Sequence, residues 1–137
     1  MRGHNAKGRS IRGPAFLMLR YDMIDSGAWK CLTPAQRCVM IQIARRYNGT
    51  NNGFLGASVD NLAAECNIAP NTVTSAIARL IKVGFIERTA EGAFGYKCRH
   101  SAEFRLTWQK CDLTGHKASD AFKAFERQSA INEIAAK

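Results

Sequence analysis

Two amphipathic segments separated by only three residues constrain this chain more than any other feature. Ser58 offers a capping hydroxyl to the first, in which Val59, Leu62, Ala63 and Cys66 share one face at helical spacing. Asn67-Ile68-Ala69 then breaks the pattern and carries an apolar side chain, Ile68, to turn inward. Pro70 fits the first turn of a new helix, where its missing N–H costs nothing. Val73, Ile77, Leu80 and Ile81 supply the core stripe of that helix, and Gly84 ends it. Two short helices joined by so tight a turn have helix-turn-helix spacing.

The stretch after the second helix fits a hairpin. Phe85-Ile86-Glu87-Arg88-Thr89 alternates apolar and polar residues as a half-buried strand does, and Phe104-Arg105-Leu106-Thr107-Trp108 repeats the pattern. Between them lie Glu91-Gly92, Gly95 and the basic residues Lys97, Arg99 and His100, which gives a turn-rich, positive tip. The expected fold is mainly α with a small β-hairpin wing, a winged helix-turn-helix.

Upstream, Thr33-Pro34-Ala35-Gln36 spells a capping box with proline at the first helical position. Ala35, Val39, Ile43 and Tyr47 recur at four-residue spacing, widened by Cys38, Ile41 and Ala44, and Asn48-Gly49 is a left-handed stop signal. Residues 22–29 suit a short helix ending near Trp29, and Phe16-Leu17-Met18-Leu19 is too brief to type. Residues 1–14 read as a flexible basic arm, 15–111 as the winged helix-turn-helix domain and 112–137 as a C-terminal loop and helix extension. In that extension Ser119 is the expected cap, with Phe122 and Phe125 on one side and Ile131 and Ile134 continuing weakly. These four residues leave two destinations open: a homodimer contact through the C-terminal helix, or, for the two phenylalanines, packing back on the first helix of the domain.

The charge is uneven. The chain of 137 residues carries a net charge of +9, and residues 1–20 hold Arg2, Lys7, Arg9, Arg12 and Arg20 with no acid. Residues 58–111 carry seven basic against five acidic side chains, and residues 112–137 four of each. A basic arm leading into a mildly basic domain implies a polyanionic partner, with nucleic acid the first candidate. Gly3, Gly8, Gly13 and Pro14 forbid the basic amphipathic helix that a membrane surface would call for.

A helix that enters a major groove must bury one side in its own domain and present short polar or cationic groups on the other. With Val73, Ile77 and Leu80 inward, Asn71, Thr72, Thr74, Ser75, Ala78, Arg79 and Lys82 face outward. Asn suits adenine, Ser and Thr either base, and Arg a guanine or a phosphate. No acid occurs from residue 66 to residue 86, so nothing on that face repels phosphate. Lys97, Arg99 and His100 would meet the adjacent minor groove or its phosphates, and Arg2, Lys7, Arg9 and Arg12 would track the backbone or enter a narrow minor groove. The expected partner is double-stranded DNA, bound without a cofactor.

The stretches Phe16, Ser26-Gly-Ala-Trp29, Leu32-Thr-Pro34, Arg46-Tyr-Asn-Gly49 and Asn51-Asn-Gly53 resemble a group of small winged-helix proteins of alphaproteobacteria and their mobile elements. Gly84-Phe-Ile86, Gly92-Ala-Phe94, Lys97, Arg99-His100, Arg105-Leu-Thr107, Cys111-Asp112 and Thr114-Gly115 continue the likeness over roughly residues 9–125. More distantly, the helical pair and hairpin resemble the N-terminal winged-helix domains of plasmid and phage replication initiators. The resemblance implies a DNA-binding protein, either a transcriptional regulator or an initiator, and supplies no reaction and no operator. One departure is Ala69, which stands where such helices often carry Ser or Thr. Its loss of a cap costs about 1 kcal/mol and leaves the helix start open between Pro70 and Asn71.

Other chemistries fit poorly. Cys98, His100, Cys111 and His116 lack the paired spacing of a structural zinc site. Acids are scattered, with Asp22 and Asp25 a close pair at helical spacing, the histidines have no visible partner, and no Gly-Lys-Ser/Thr phosphate loop occurs. Neither an enzyme nor a metal protein is expected. Trp29, Phe85, Phe104 and Trp108 fall on the inward phase of their elements and read as core. With five cysteines, no Cys-x-x-Cys, no secretory signal and no apolar run of membrane-spanning length, the expectation is a cytoplasmic protein with reduced thiols. A winged helix used only to dock another protein is the rival of a different class.

Overall fold

The computed structural model describes residues 13–94 and 99–125. Two single-turn helices, α1 (Tyr21–Ile24) and α2 (Gly27–Lys30), stand where the sequence suggests one. Ser26 divides them. Its hydroxyl donates to the Met23 carbonyl at 2.6 Å and accepts from the Trp29 N–H at 3.2 Å, so one buried side chain ends the first turn and caps the second. The run Phe16-Leu17-Met18-Leu19 takes neither helical nor strand form. Leu17 and Leu19 pack on the core, while Phe16 and Met18 stay largely exposed.

Helix α3 (Pro34–Arg45) begins with the expected capping box: Gln36 N–H donates to Thr33 Oγ1 at 3.2 Å, and Thr33 N–H donates to Gln36 Oε1 at 3.0 Å. Its end differs from expectation. The helix stops at Arg45, short of Asn48-Gly49, and the Asn51 side-chain amide satisfies the Arg46 carbonyl at 2.9 Å. A side chain from the next loop thus takes the place of a left-handed glycine; Gly49 does adopt φ +103°, but within the turn beyond.

Helices α4 (Val59–Cys66) and α5 (Pro70–Val83) agree closely with the sequence pattern. Ser58 Oγ accepts from Asn61 N–H at 3.1 Å, and Asn67 closes α4 in the left-handed region at φ 55°. The Ile68 N–H then returns to the Ala63 carbonyl at 3.1 Å and turns Ile68 against the core. Helix α5 starts at Pro70, not Asn71; Ala69 takes the cap position and offers no side-chain bond. Both helices pack against α3, with Val73, Ala76, Ile77, Leu80 and Val83 buried.

The sheet has one strand more than the sequence shows. Strands β1 (Leu55–Gly56), β2 (Ile86–Ala90) and β5 (Glu103–Leu106) form an antiparallel sheet in the order β1-β5-β2. The two residues of β1 carry too little periodicity to mark a strand. The β2–β5 pairing is irregular between Arg88 and Ala90, where Thr89 Oγ1 donates to the Gly53 carbonyl at 2.6 Å. Past that irregularity the hairpin continues as a second ribbon, β3 (Ala93–Phe94) against β4 (Arg99–His100). This is a mainly helical winged helix-turn-helix.

The expected alternation along residues 104–108 does not occur, because Phe104, Arg105, Leu106, Thr107 and Trp108 are all buried. Thr107 Oγ1 bonds the Gly84 carbonyl at 2.6 Å and the Phe85 carbonyl at 3.1 Å, which lets a polar side chain sit in the interior. Arg105 faces Glu87 across the strands at 3.4 Å, while its Nε and Nη2 find no partner among the described residues. Nor does the segment at Phe85 alternate: Phe85 and Ile86 are both fully buried. Phe85 is a hub, edge-on to Trp29 and Trp108 and stacked on Phe122 with ring centres 5.1 Å apart.

That last contact brings the C-terminal segment onto the domain. Phe122 is fully buried, residues 122–125 are helical, and the Asp120 N–H bonds the Thr107 carbonyl at 3.0 Å. Asp120, at φ 45°, makes the turn where the sequence suggests a Ser119 cap, and its carboxylate meets Arg20 at 3.2 Å. Gly84 is essential to this approach. It sits at φ +94°, and a Cβ there would lie 2.7 Å from the backbone carbon and oxygen of Ala121. Gly84→Ala therefore meets both left-handed strain and a backbone clash, and should cost roughly 1–3 kcal/mol with the C-terminal segment displaced. Thermal unfolding together with protease sensitivity around residue 120 checks this. An unchanged midpoint and cleavage pattern would contradict it.

Candidate nucleic-acid interface

The face of α5 turned from the core is the candidate interface. Its inward residues keep the 3.6-residue period, so the remaining positions are presented together on one side. Asn71, Thr72, Thr74, Ser75, Ala78 and Lys82 are exposed there, and Arg79 is half-buried at the flank. Thr74 Oγ1 donates back to the Pro70 carbonyl at 3.2 Å, a common helical arrangement that keeps its oxygen lone pairs available. The first turn of α5 has no acidic residue, and the last turn carries Lys82. The uncapped helix start therefore carries the positive end of the helix dipole with no carboxylate to neutralise it.

Structure and sequence agree on which of these groups face outward, but not on their equivalence. Arg79 lies with its guanidinium carbon 5.7 Å from the centre of the Phe125 ring. Phe125 itself packs against the core beside Phe122. The sequence leaves these two phenylalanines open between a dimer contact and the first helix of the domain. Phe122 instead stacks on Phe85, and Phe125 meets α5. The signal in the sequence is their three-residue spacing, which puts both on one helical side without saying what that side meets.

For the remaining sequence-based candidates the placement is partial. Arg99 and His100 form strand β4 at the outer ribbon of the hairpin. Lys97 lies outside the described residues, as do Arg2, Lys7, Arg9 and Arg12 of the arm, and Ile131 and Ile134. The exposed basic side chain Arg88 of β2 is occupied within the domain: it lies over the Phe104 ring and 3.4 Å from Glu91.

Several other titratable groups are shifted by their surroundings. Asp22, bonded by Arg20 at 2.6 Å and close to Lys123, is held down to about 2 by the Arg20 hydrogen bond above all. Burial pushes the Cys66 thiol up to about 12, assisted by its hydrogen bond with Cys38. At Cys111 burial acts upward too, yet hydrogen bonding with the Thr114 side chain and with the Thr114 and Leu113 backbone brings that thiol below its ordinary value. Among the described residues no group of three His, Cys, Asp or Glu side chains is gathered to hold a metal ion. No helix among them is long and apolar enough to cross a membrane.

Residues 30–86 match the model of a helix-turn-helix domain family, a span from the last residue of α2 to the first residue of β2. No curated protein and no solved structure matches the chain. The family match and the winged helix-turn-helix fold together point to double-stranded DNA as the partner, since this module presents its second helix to the major groove.

Proposed function

We propose that this protein is a sequence-specific double-stranded DNA-binding protein acting as a transcriptional regulator. Helix α5 reads the major groove, while the hairpin tip and the basic arm contact flanking DNA. The observation that carries the reading is the outward face of α5: Asn71, Thr72, Thr74, Ser75 and Lys82 exposed side by side, with Arg79 at the flank and no acid between residues 66 and 86. Asn71 suits an adenine edge and Arg79 a guanine, whereas Lys97, Arg99 and His100 of the wing supply charge alongside. The likeness to winged-helix proteins of mobile elements supports placement on such an element. Origin binding by a replication initiator uses the same reading head.

Genome-wide DNA capture with the full chain tests the role: peaks at promoters are expected, and one dominant peak at an origin would make it an initiator. Binding that draws on about 5–8 phosphate contacts should fall with salt at a log–log slope of roughly −4.5 to −7. Removing residues 1–12 should weaken selected and random duplexes alike and flatten that slope by about 0.9 per lost contact. Fluorescence anisotropy across a salt series checks both. A flat salt response would favour a module that docks another protein.

A further inference from the structure

We propose that residues 120–125 are part of the DNA-reading surface, with Phe125 the positioning residue that holds Arg79 ready to read a guanine; this rests on the reading of α5 given above. Two observations carry it. Arg79 differs from the other arginines whose partners are visible. Arg20, Arg46, Arg88 and Arg105 each reach a carboxylate, and Arg37 reaches the Trp29 and Lys30 carbonyls. Arg79 lies over an aromatic ring as Arg20, Arg37 and Arg88 also do, but among the described residues no hydrogen bond or ion pair occupies its N–H groups. A guanidinium held by a ring keeps its donor fork unspent. That fork is planar and matches the paired acceptors O6 and N7 of guanine.

The second observation is that the ring is not free to wander. The fully buried Phe122, one turn earlier, is stacked on Phe85. The backbone at Ala121 lies directly against Gly84, the residue that ends α5. Asp120 is tied to the Thr107 carbonyl through its N–H and to Arg20 through its carboxylate. Phe125 is thereby fixed relative to α5, not to solvent. A long flexible side chain on the flank of the helix gains a fixed direction from it, so binding has less freedom to remove.

The test compares variants on DNA chosen by the protein itself. The full chain selects from duplexes with a randomised core, and the enriched duplex is measured beside a scrambled one of the same composition. Phe125→Leu should lower affinity for the enriched duplex by about threefold or more, the size of the ordering cost of one long side chain, and leave the scrambled duplex unchanged. Phe125→Tyr, which keeps the ring, should bind as the parent does. In an Arg79→Gln background Phe125→Leu should have no further effect. Equal losses on both duplexes, full retention by Phe125→Leu, or additivity with Arg79→Gln would overturn the role of Phe125. If Asn71→Ala meanwhile abolishes the preference, the reading of α5 stands without it. No enrichment of any duplex would remove both.

Discussion

Replacing Asn52 with leucine should lower the unfolding free energy by about 3–5 kcal/mol, the largest stability loss expected for a loop residue here. Asn52 is fully buried. Its amide nitrogen donates towards three carbonyls, Leu106 at 3.0 Å, Lys110 at 2.9 Å and Gln109 at 3.3 Å, and its Oδ1 accepts from the Leu106 N–H at 2.6 Å. The backbone at the same residue binds Asp112: its N–H donates to Asp112 Oδ2 at 2.8 Å, and its carbonyl accepts from the Asp112 and Leu113 N–H groups. One residue thus holds the end of β5 to the loop beyond it. Leucine keeps the volume and removes the side-chain bonds, leaving several buried backbone groups unpaired at about 1–3 kcal/mol each before any relaxation. Against a typical total of about 5–15 kcal/mol, that is enough to shift the thermal midpoint by roughly 10 °C or more. Circular dichroism melts of Asn52→Leu beside Asn51→Leu make the comparison. Asn51 is only half-buried, so a similar loss in both would show that the burial of Asn52 is not what matters.

Asn52 also marks where sequence reasoning stops. Asn51-Asn52-Gly53 reads as a Gly-rich loop, and locally that is correct. Nothing in the three residues announces that the middle amide serves a segment more than fifty positions away. Propensity and periodicity report local preferences, and a buried amide bonding remote carbonyls is a tertiary fact. The helices are legible for the opposite reason. The Thr33 and Ser58 caps, the Pro70 start and the Gly84 stop act within a turn or two of themselves, so α3 and α4 begin where their sequences say and α5 at the first of the two starts its sequence leaves open. The failed alternation at Phe104–Trp108 belongs with Asn52. Arg105 and Thr107 are polar yet buried because Glu87 and the Gly84 and Phe85 carbonyls meet them, partners that no two-residue period encodes. The outward face of α5 is readable as a face, since it is the complement of the buried stripe. The ring against Arg79 is not, because it depends on how the chain returns after Asp120.

Ser75→Glu should abolish most DNA binding while leaving the domain folded. Ser75 is exposed near the middle of α5, on the same face as Asn71 and Lys82. Glutamate has a slightly better helix propensity than serine, so the melting midpoint should stay within a few degrees. The effect on binding comes from charge. A carboxylate about 4 Å from a phosphate meets a repulsion of roughly 1 kcal/mol in bulk water and about 4 kcal/mol at an interfacial effective dielectric near 20. The expected loss is therefore between about fivefold and a thousandfold at moderate salt, shrinking as added salt screens the pair. Ser75→Gln, close to glutamate in size but neutral, separates bulk from charge and should lose less than about tenfold. Anisotropy titrations with an enriched and a scrambled duplex distinguish the cases: a charge effect weakens both, since phosphates are present in each. No carboxylate occurs from Cys66 to Ile86, so a glutamate at position 75 would be the first negative charge on this helix. If Ser75→Glu bound both duplexes as the parent does, the outer side of α5 would not be the surface that meets DNA, and the hairpin would have to take its place.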